Sequence, residues 1–490
     1  MRSILYSLFT ILLACPLFLL AQPVEMNLLG IWNDPSIVPT AAFNGPYNEV
    51  WGLFVNDHEI AVIGSTEGTH FIDVTDPTNP TEIMDAFVPG ATMGPDLIHR
   101  DYHDYKGFLY AVADENNNST LQIIDIRNLP NSTTVVYDNN DLIIRAHNVF
   151  VDSTQARLYA CGIRRGTGGG STREAMTIYD ISNPAAPVEL GAYNGIGSVE
   201  IPYVHDVFVR DNIAYMNGGP SGFFVGDFTD PTNPVLLGTM TDYVQAGYNH
   251  SGWLDHAGHY YFLADETFGL ELKVVDVCAS DDIQVMNTFG TDSGFSSSIP
   301  HNLLIDCNIL YASWYHEGIQ VFDISDPINP ERIGFYDTFA EADGNYFAGN
   351  WGVYPYLPSG NILASDMQTG LYVIQNIASP DCDAYQAAAC DNAVPVKELY
   401  QPVKGISIFP QPAQDQLIID FYLEQNIKNL TVELTDINGR IVNHWPYSDR
   451  LTGENNLQLD IPNQVYNGFY IMTIRGDEVI EVSRKVVVQR

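Results

Sequence analysis

Five histidines recur at a regular spacing in the middle of the chain, and imidazole is a side chain that binds metals and transfers protons. They are His99, His147, His205, His250 and His301. Neutral imidazoles that converge on one point can bind Zn²⁺, Cu²⁺ or Ni²⁺, and they can also act as acid and base on a small ligand. One interpretation is therefore a divalent transition metal, held where these five side chains meet.

Two tryptophans occupy the same repeat position in the units that lack the histidine. Trp51 begins Trp-Gly-Leu-Phe-Val and Trp351 begins Trp-Gly-Val-Tyr, which gives intervals of 48, 48, 58, 45, 51 and 50 residues between the seven positions. Indole rings at this position would form a flat apolar wall suited to a sugar or an aromatic group. Both tryptophans are predicted to line a ligand site or channel.

The same histidines also have a purely structural interpretation, in which each ring only bonds to the backbone of a neighbouring repeat. The carboxylates nearest to them in sequence, which would support metal ligands, are Asp96, Glu200 and Asp206. The chain contains neither a Gly-x-Ser-x-Gly elbow nor a His-Glu-x-x-His motif, so no catalytic residue is assigned. Both interpretations stay open at this level.

A second repeated signature indicates the elements that must position these side chains. An apolar run ends in Asp and a turn with Pro follows, as in Phe71-Ile-Asp73-Val-Thr-Asp-Pro-Thr-Asn-Pro80. This Asp recurs at positions 73, 125, 180, 227, 276 and 323, where its carboxylate would accept backbone N–H bonds from the turn. Units of about 45–50 residues with room for four short strands are typical of propeller blades. The sequence predicts an all-β fold with a seven-bladed β-propeller over residues 22–380.

The two ends of the propeller are predicted to pair with each other. A fourth-strand motif, as in Leu236-Leu-Gly238-Thr-Met240, also occurs before the first unit, as Leu28-Leu-Gly30-Ile-Trp32. The seventh unit lacks such a strand of its own. Residues 28–32 would therefore be the outer strand of the last blade and close the ring without an open edge.

The charge distribution excludes several classes of partner. The chain has 21 basic and 60 acidic residues and a formal charge of −39, which argues against binding to nucleic-acid phosphates and to anionic lipid. Residues 22–396 hold 11 basic and 48 acidic residues, whereas residues 397–490 hold 9 and 12. The acidity therefore belongs to the predicted propeller.

The ends of the chain predict export. Residues 1–21 have the basic start and apolar core of a secretory signal peptide, and no later run is long enough to span a bilayer. Export implies an oxidising compartment, so Cys382–Cys390 is a plausible local disulfide, and Cys161 is interpreted as a buried thiol. A linker is predicted over residues 381–400.

The tail, residues 401–490, alternates apolar and polar residues around Asn438-Gly439 and Asn467-Gly468 turns and predicts a small β-sandwich. It resembles the C-terminal sorting domain of the type IX secretion system of Bacteroidetes-type bacteria. The resemblance rests on Phe409-Pro-Gln-Pro-Ala413, on Leu434-Thr-Asp-Ile-Asn-Gly439-Arg440 and on Tyr466-Asn-Gly468-Phe-Tyr470. It implies that the secretion machinery is a partner and that the protein is secreted or displayed on the outer-membrane surface.

The repeats over about residues 28–376 resemble the LVIVD repeat and the extracellular choice-of-anchor B family. That resemblance implies a fold and a location more than an activity. We expect a non-enzymatic surface module that binds an extracellular glycan, peptide or protein. The alternative is a metal-dependent hydrolase or lyase that uses the histidines.

Overall fold

The computed structural model describes residues 22–166, 172–279, 282–291, 299–341 and 344–385 and, nearer the C-terminus, 403–410, 413–423, 430–435, 441–447, 452–462, 465, 468–476 and 480–488. The chain forms two compact units, Met1–Asp391 and Asn392–Arg490, and each is described by itself. The predicted signal peptide and most of the predicted linker lie outside the described residues. No helix in the described ranges has the length and hydropathy of a membrane span.

The first unit is all-β and consists of antiparallel sheets whose strands follow one another in sequence. Its described residues form seven such sheets, called blades 1 to 7 from here on. Blade 1 contains Tyr47–Val55, His58–Ser65, Gly68–Asp73, Thr81–Glu82 and Val88–Pro89. Blade 2 contains Arg100–Tyr105, Phe108–Ala113, Leu121–Asp125 and Thr134–Asn139. Blade 3 contains Asn148–Asp152, Arg157–Arg165, Thr172–Asp180 and Val188–Tyr193. Blade 4 contains Asp206–Arg210, Ile213–Asn217, Phe223–Asp227 and Val235–Met240.

The remaining blades follow the same plan. Blade 5 contains Asn249–Leu254, Tyr260–Asp265, Leu272–Asp276 and Gln284–Phe289. Blade 6 contains Pro300–Asp306, Ile309–Trp314, Gly318–Asp323 and Glu331–Tyr336, with Val24–Glu25 added. Blade 7 contains Asn350–Tyr354, Ile362–Asp366, Gly370–Gln375 and Asn27–Trp32. A short hairpin and three 3₁₀ turns complete the described part: Gly195–Ile196 with Val199–Glu200, and Met84–Ala86, Tyr315–Glu317 and Cys382–Ala384.

The blades are arranged in a ring, as in a β-propeller. The first strand of each blade contacts the first strand of the next, and the first strand of blade 7, Asn350–Tyr354, contacts that of blade 1, Tyr47–Val55. Apolar side chains fill the space between neighbouring blades. Tyr110 and Val112 of blade 2, for example, share one buried cluster with Val149 and Leu158 of blade 3. The first strands therefore line a central channel.

The N-terminal segment joins the two ends of the ring. Asn27–Trp32 pairs antiparallel with Gly370–Gln375 and completes blade 7, which is the pairing that the Leu-Leu-Gly motif predicts. Val24–Glu25 pairs parallel with the outer strand of blade 6. Blade 7 thus combines strands from the two ends of the propeller, which closes the ring.

The repeated aspartates are turn formers, as predicted. Each accepts a hydrogen bond at Oδ1 from the backbone N–H two residues later, with distances between 2.7 and 3.1 Å. The six carboxylates are those of Asp73, Asp125, Asp180, Asp227, Asp276 and Asp323. This Asx-type bond ends the third strand of six blades and begins the turn to the fourth.

The expected local disulfide is wrong. Cys382 bonds to Cys307, which lies 75 residues earlier in blade 6. The segment after blade 7 lies back against this blade, where the N–H of Asp381 donates to Asn308 Oδ1 at 2.7 Å. That contact places Cys382 beside Cys307. Cys161 is a buried free thiol, as expected.

The second unit has the two sheets of a small sandwich. One sheet contains Val403–Phe409, Gln416–Leu423 and Gly453–Asp460; the other contains Ile441–Pro446, Thr431–Thr435, Gly468–Gly476 and Ile480–Val488. Alternate residues such as Leu417, Ile419 and Phe421 are buried in a single apolar core, because successive strand residues point to opposite faces.

Candidate functional site

The five predicted histidines lie together at one end of the central channel. The ring centroids of successive pairs are 5.0 Å apart for His99–His147, 4.0 Å for His147–His205, 4.0 Å for His205–His250 and 4.5 Å for His250–His301. Trp351 closes the circle, at 4.8 Å from His301 and 5.3 Å from His99. We call these six side chains the histidine ring.

The Nδ1 atoms of two of the imidazoles bond to the backbone of the next blade and so hold the histidine ring in place. His205 Nδ1 donates to the carbonyl of His250 at 3.0 Å, and His301 Nδ1 donates to that of Trp351 at 2.6 Å. A carbonyl only accepts, so the proton is on Nδ1 and the Nε2 lone pair is left available. Burial lowers the pKa of His301 to about 3. Both rings are therefore neutral, and both bond to the next blade.

The histidines that precede blades 2 and 3 have carboxylate partners instead. His147 Nδ1 lies 2.9 Å from Asp114 Oδ2, and His99 Nδ1 is hydrogen-bonded to Glu115. Of the carboxylates suggested from sequence, Asp96 and Glu200 are exposed on the surface, while Asp206 lines the channel. The supporting carboxylates come from the ends of second strands, a relation that proximity in sequence does not reveal.

Trp51 does not occupy the position that the repeat alignment gave it. In blade 1 the bulged residue that corresponds to His301 is Asn48, because Tyr47 pairs with Ser65 as Pro300 pairs with Trp314. Asn48 donates to the carbonyl of Ile98 at 2.9 Å and so makes the same bond to the next blade. The predicted wall of two neighbouring indoles is therefore wrong.

Trp51 belongs to a second aromatic layer of the channel. Its ring lies 4.5 Å from that of His103 and 5.0 Å from that of Tyr354. Phe150, Phe208 and Trp253 continue the layer from blade to blade. A cavity of about 60 Å³ adjoins this layer, and one of about 30 Å³ lies inside the histidine ring. Since a water needs about 10–15 Å³, each admits a few waters or an ion but no sugar.

Three carboxyl groups line both cavities. They belong to Glu49, Asp101 and Asp206. Burial raises the pKa of Glu49 to about 7, with the charge of Asp206 adding to the effect, and burial raises the pKa of Asp206 to about 7. Burial also raises the pKa of Asp101, together with the charges of the other two. The centre of the channel thus disfavours a full set of negative charges.

The possible metal ligands form separate groups rather than one five-histidine site. Among the described residues, His250, Glu266 and His301 bring three ligand atoms within 4.8 Å of one another, and so do His99, Asp114 and His147. Glu266 escaped the sequence analysis because it follows the second strand of blade 5, outside the repeated histidine position. The five histidines are neighbours, but their nitrogens do not meet at one point.

A larger pocket lies beside the histidine ring, between blades 3 and 4. Its volume is about 460 Å³, and its lining includes Tyr203, Tyr248 and the three arginines 145, 164 and 173. The Tyr203 ring is 6.1 Å from that of His205, and the Tyr248 ring is 5.4 Å from it. Its eleven lining residues are named here the arginine pocket: Asp114, Arg145, Gly162, Ile163, Arg164, Arg173, Glu174, Pro202, Tyr203, Pro220 and Tyr248.

The three arginines form a row across adjacent strands. Arg164 is directly opposite Arg173 in the ladder, and Arg145 forms a bridge to Arg164 on the other side. The long interval between His147 and His205, which contains Arg164 and Arg173, is partly strand, since Arg157–Arg165 and Thr172–Asp180 are both nine residues long. This pocket is not among the sites predicted from the sequence. The available signal was that five of the eleven basic residues in 22–396 fall in residues 145–173.

Comparison with known families supports the two-part organisation of the chain. Residues 407–489 match the secretion system C-terminal sorting domain, and residues 172–195 match the LVIVD repeat. The second match covers the two outer strands of blade 3. The chain is therefore an extracellular β-propeller protein with a type IX sorting domain, which directs it to the cell surface. No curated protein matches the sequence.

Solved structures share only a distant likeness. PorZ, a surface component of the type-IX secretion system of Porphyromonas gingivalis, is 12% identical with a TM-score of 0.41; the match covers 92% of this chain and 61% of that one. The computationally designed Ika8 protein is 12% identical, with a TM-score of 0.42 and coverages of 69% and 99%. The RRP9 WD40 repeats are 8% identical, with a TM-score of 0.47 and coverages of 72% and 99%. This chain thus spans about 61% of the length of PorZ.

Proposed function

We propose that the protein is a surface-displayed binding module that holds a short acidic saccharide in the arginine pocket. The observation that carries the proposal is the row of Arg145, Arg164 and Arg173, in which Arg164 and Arg173 lie on paired strands and Arg145 joins them through a single β-bridge. Like charges directly opposite each other in a sheet are destabilising. A bound anion would offset that repulsion, and guanidinium groups bind carboxylates and sulfates through paired N–H donors.

The charge balance of the propeller strengthens the case for an anionic ligand. Residues 22–396 carry only 11 basic residues against 48 acidic ones, yet three of the 11 line this single pocket. The acidic groups in its lining also bond to other residues, although Asp114 Oδ1 lies 4.0 Å from Arg145 Nε. Asp114 is bonded to His147, and Glu174 accepts from Asn194 Nδ2 at 2.5 Å.

The size and aromatic lining favour a saccharide. A volume of about 460 Å³ falls in the range of about 300–1,000 Å³ that is usual for small-molecule sites. Tyr203 and Tyr248 are half-buried and offer ring faces and hydroxyl groups together, a combination that suits a sugar ring with its polar edge and apolar face. An acidic peptide would share the charge but not the need for flat ring faces.

The ligand would be met outside the cell. We propose residues 1–21 as a cleaved signal peptide, 22–380 as the propeller, 381–400 as a linker and 401–490 as the sorting domain. In this arrangement the secretion machinery acts on the tail, and the propeller carries the ligand site.

The test is a glycan array followed by calorimetry on the full chain. We expect acidic oligosaccharides to bind and their neutral counterparts to be rejected. Arg173→Gln should weaken binding by about 10- to 100-fold, the equivalent of about 1.5–3 kcal/mol for hydrogen bonds to a charged group. The matched control is Arg127→Gln, because the exposed Arg127 of blade 2 pairs with Asp125 outside the arginine pocket.

Three outcomes would contradict the proposal. They are binding of neutral sugars only, equal affinity of the parent and the Arg173→Gln variant, and selective binding of acidic peptides in place of saccharides. Weakening of binding by salt is expected, since the contacts are ionic and partly exposed.

A further inference from the structure

We infer that His250, His301 and Glu266 form a binding site for one divalent transition metal ion, with zinc as the best fit. The ligand atoms are the Nε2 atoms of the two histidines and a carboxylate oxygen of the glutamate. Two imidazoles and one carboxylate are a donor set that suits Zn²⁺ and leaves at least one coordination position for water or another ligand. The inference is independent of the saccharide proposal.

The distances around Glu266 are the first support. Its Oε2 is 3.8 Å from His250 Nε2, and its Oε1 is 4.0 Å from His301 Nε2. Both distances are too long for hydrogen bonds. They are close to the separation of about 3.3 Å between two ligands of one tetrahedral zinc ion with bonds of about 2.0–2.1 Å. The three ligand atoms all lie within 4.8 Å of one another, so the side chains would have to move closer together for all three to bind one ion.

His250 supplies the second support. It is only 3% exposed, and its Nδ1 has no hydrogen-bond partner among the described residues. The carbonyl of His301, which would accept from it in the pattern of the ring, also accepts from Ser251 Oγ at 2.5 Å, so any bond that it offers to His250 is shared and poorly aligned. A buried imidazole with unmet bonding potential is costly. Coordination through Nε2, which lies 3.8 Å from Glu266 Oε2, would leave Nδ1 as it is but would give this buried ring a partner at its other nitrogen.

The surrounding bonds already orient the other ligands. The Nδ1–H of His301 is fixed on the carbonyl of Trp351 at 2.6 Å, so its Nε2 has a free lone pair. The hydroxyl of Tyr315 donates to Glu266 Oε1 at 2.7 Å. Metal-binding histidines and carboxylates are usually held by such outer bonds. In the group of His99, Asp114 and His147, by contrast, Asp114 already bonds to His147 Nδ1 at 2.9 Å. That carboxylate therefore has a hydrogen-bond partner when no ion is bound.

The experiment uses the full chain, freed of metal by dialysis and then titrated with Zn²⁺ alone or with Co²⁺ alone. We expect one equivalent of zinc by elemental analysis and visible d–d absorption on adding Co²⁺. Glu266→Gln should abolish the Co²⁺ absorption, although its amide oxygen can still accept from Tyr315. Tyr315→Phe should weaken metal binding by about 10- to 100-fold, as loss of an outer partner does.

Glu115→Gln is the matched control, because Glu115 bonds to His99 in the other half of the histidine ring. It should bind zinc as the parent does. The inference is overturned if the parent retains less than a tenth of an equivalent of zinc, if Glu266→Gln binds like the parent, or if only Glu115→Gln loses the metal. Circular dichroism of each variant checks that a loss of metal is not a loss of fold.

Discussion

Replacing Glu49 by Gln should remove a pH-dependent loss of stability from the propeller. Glu49 is buried in the channel, where its carboxylate accepts from Val50 N at 3.0 Å and from Asn302 Nδ2 at 2.7 Å. Burial nevertheless raises its pKa from the usual 4.5 to about 7. The folded protein therefore holds this proton more tightly than the unfolded chain does.

The sign and size follow from linkage. Below about pH 4.5 both states are protonated, so the group contributes no difference in stability. Between pH 4.5 and 7 the unfolded chain loses the proton first, and the free energy of unfolding falls as pH rises. The total loss is about 3 kcal/mol, from a shift of roughly 2.5 units at about 1.36 kcal/mol per unit. Above pH 7 the loss is complete.

The assay is chemical unfolding at pH 4 and at pH 8, followed by tryptophan fluorescence, since five of the six tryptophans precede residue 381. Glu49→Gln also weakens a hydrogen bond, but that cost is the same at both pH values. The change from pH 4 to pH 8 should therefore be about 3 kcal/mol smaller in the variant. The exposed Glu331→Gln is the control. Identical pH dependence in the parent and in Glu49→Gln would refute the reasoning.

Three further predictions concern the framework. Lys273 and Asp265 form a fully buried ion pair, with Nζ and Oδ2 2.7 Å apart, so Lys273→Met should lower the free energy of unfolding by about 3–5 kcal/mol. Adding Asp265→Leu in a double-mutant cycle should recover most of that loss. Additive losses in the double variant would contradict the coupling. Deleting residues 23–36 removes the strand that completes blade 7 and should abolish folding, whereas normal secretion with the parent's melting temperature would contradict ring closure. Peptide mapping without reductant should link Cys307 to Cys382, and Cys307→Ser should lower stability by about 2–4 kcal/mol; a fragment joining Cys382 to Cys390 would contradict the pairing.

The repeats made the fold and the position of the five histidines predictable from sequence. Equal spacing in a closed ring brings equivalent residues to one end of the channel, and His99 to His301 lie there. The position of Trp51 was predicted wrongly because the Trp-Gly pairs of blades 1 and 7 lie at different levels along the channel. A bulge near Asn48 shifts the register of blade 1, and spacing alone does not reveal a bulge.

The contacts that determine the chemistry were harder to predict from the sequence. Glu266 reaches the ring from the end of a second strand, and its partner His301 is 35 positions away in sequence. The arginine row depends on strand pairing between Arg164 and Arg173, which the glycine-rich sequence between them does not indicate. Such cross-strand neighbours follow from register, which composition and periodicity do not specify.

The most direct test of the binding proposal pairs a change in the ligand with a change in the pocket. Calorimetry would compare an acidic oligosaccharide with its carboxyl-reduced neutral counterpart, on the parent and on Arg173→Gln. The account predicts that reduction costs the parent at least about 10-fold in affinity, the lower end of a charged hydrogen bond, and costs the variant much less. An equal loss of affinity in the parent and in the variant would show that Arg173 does not bind the acidic group, and would contradict the proposal.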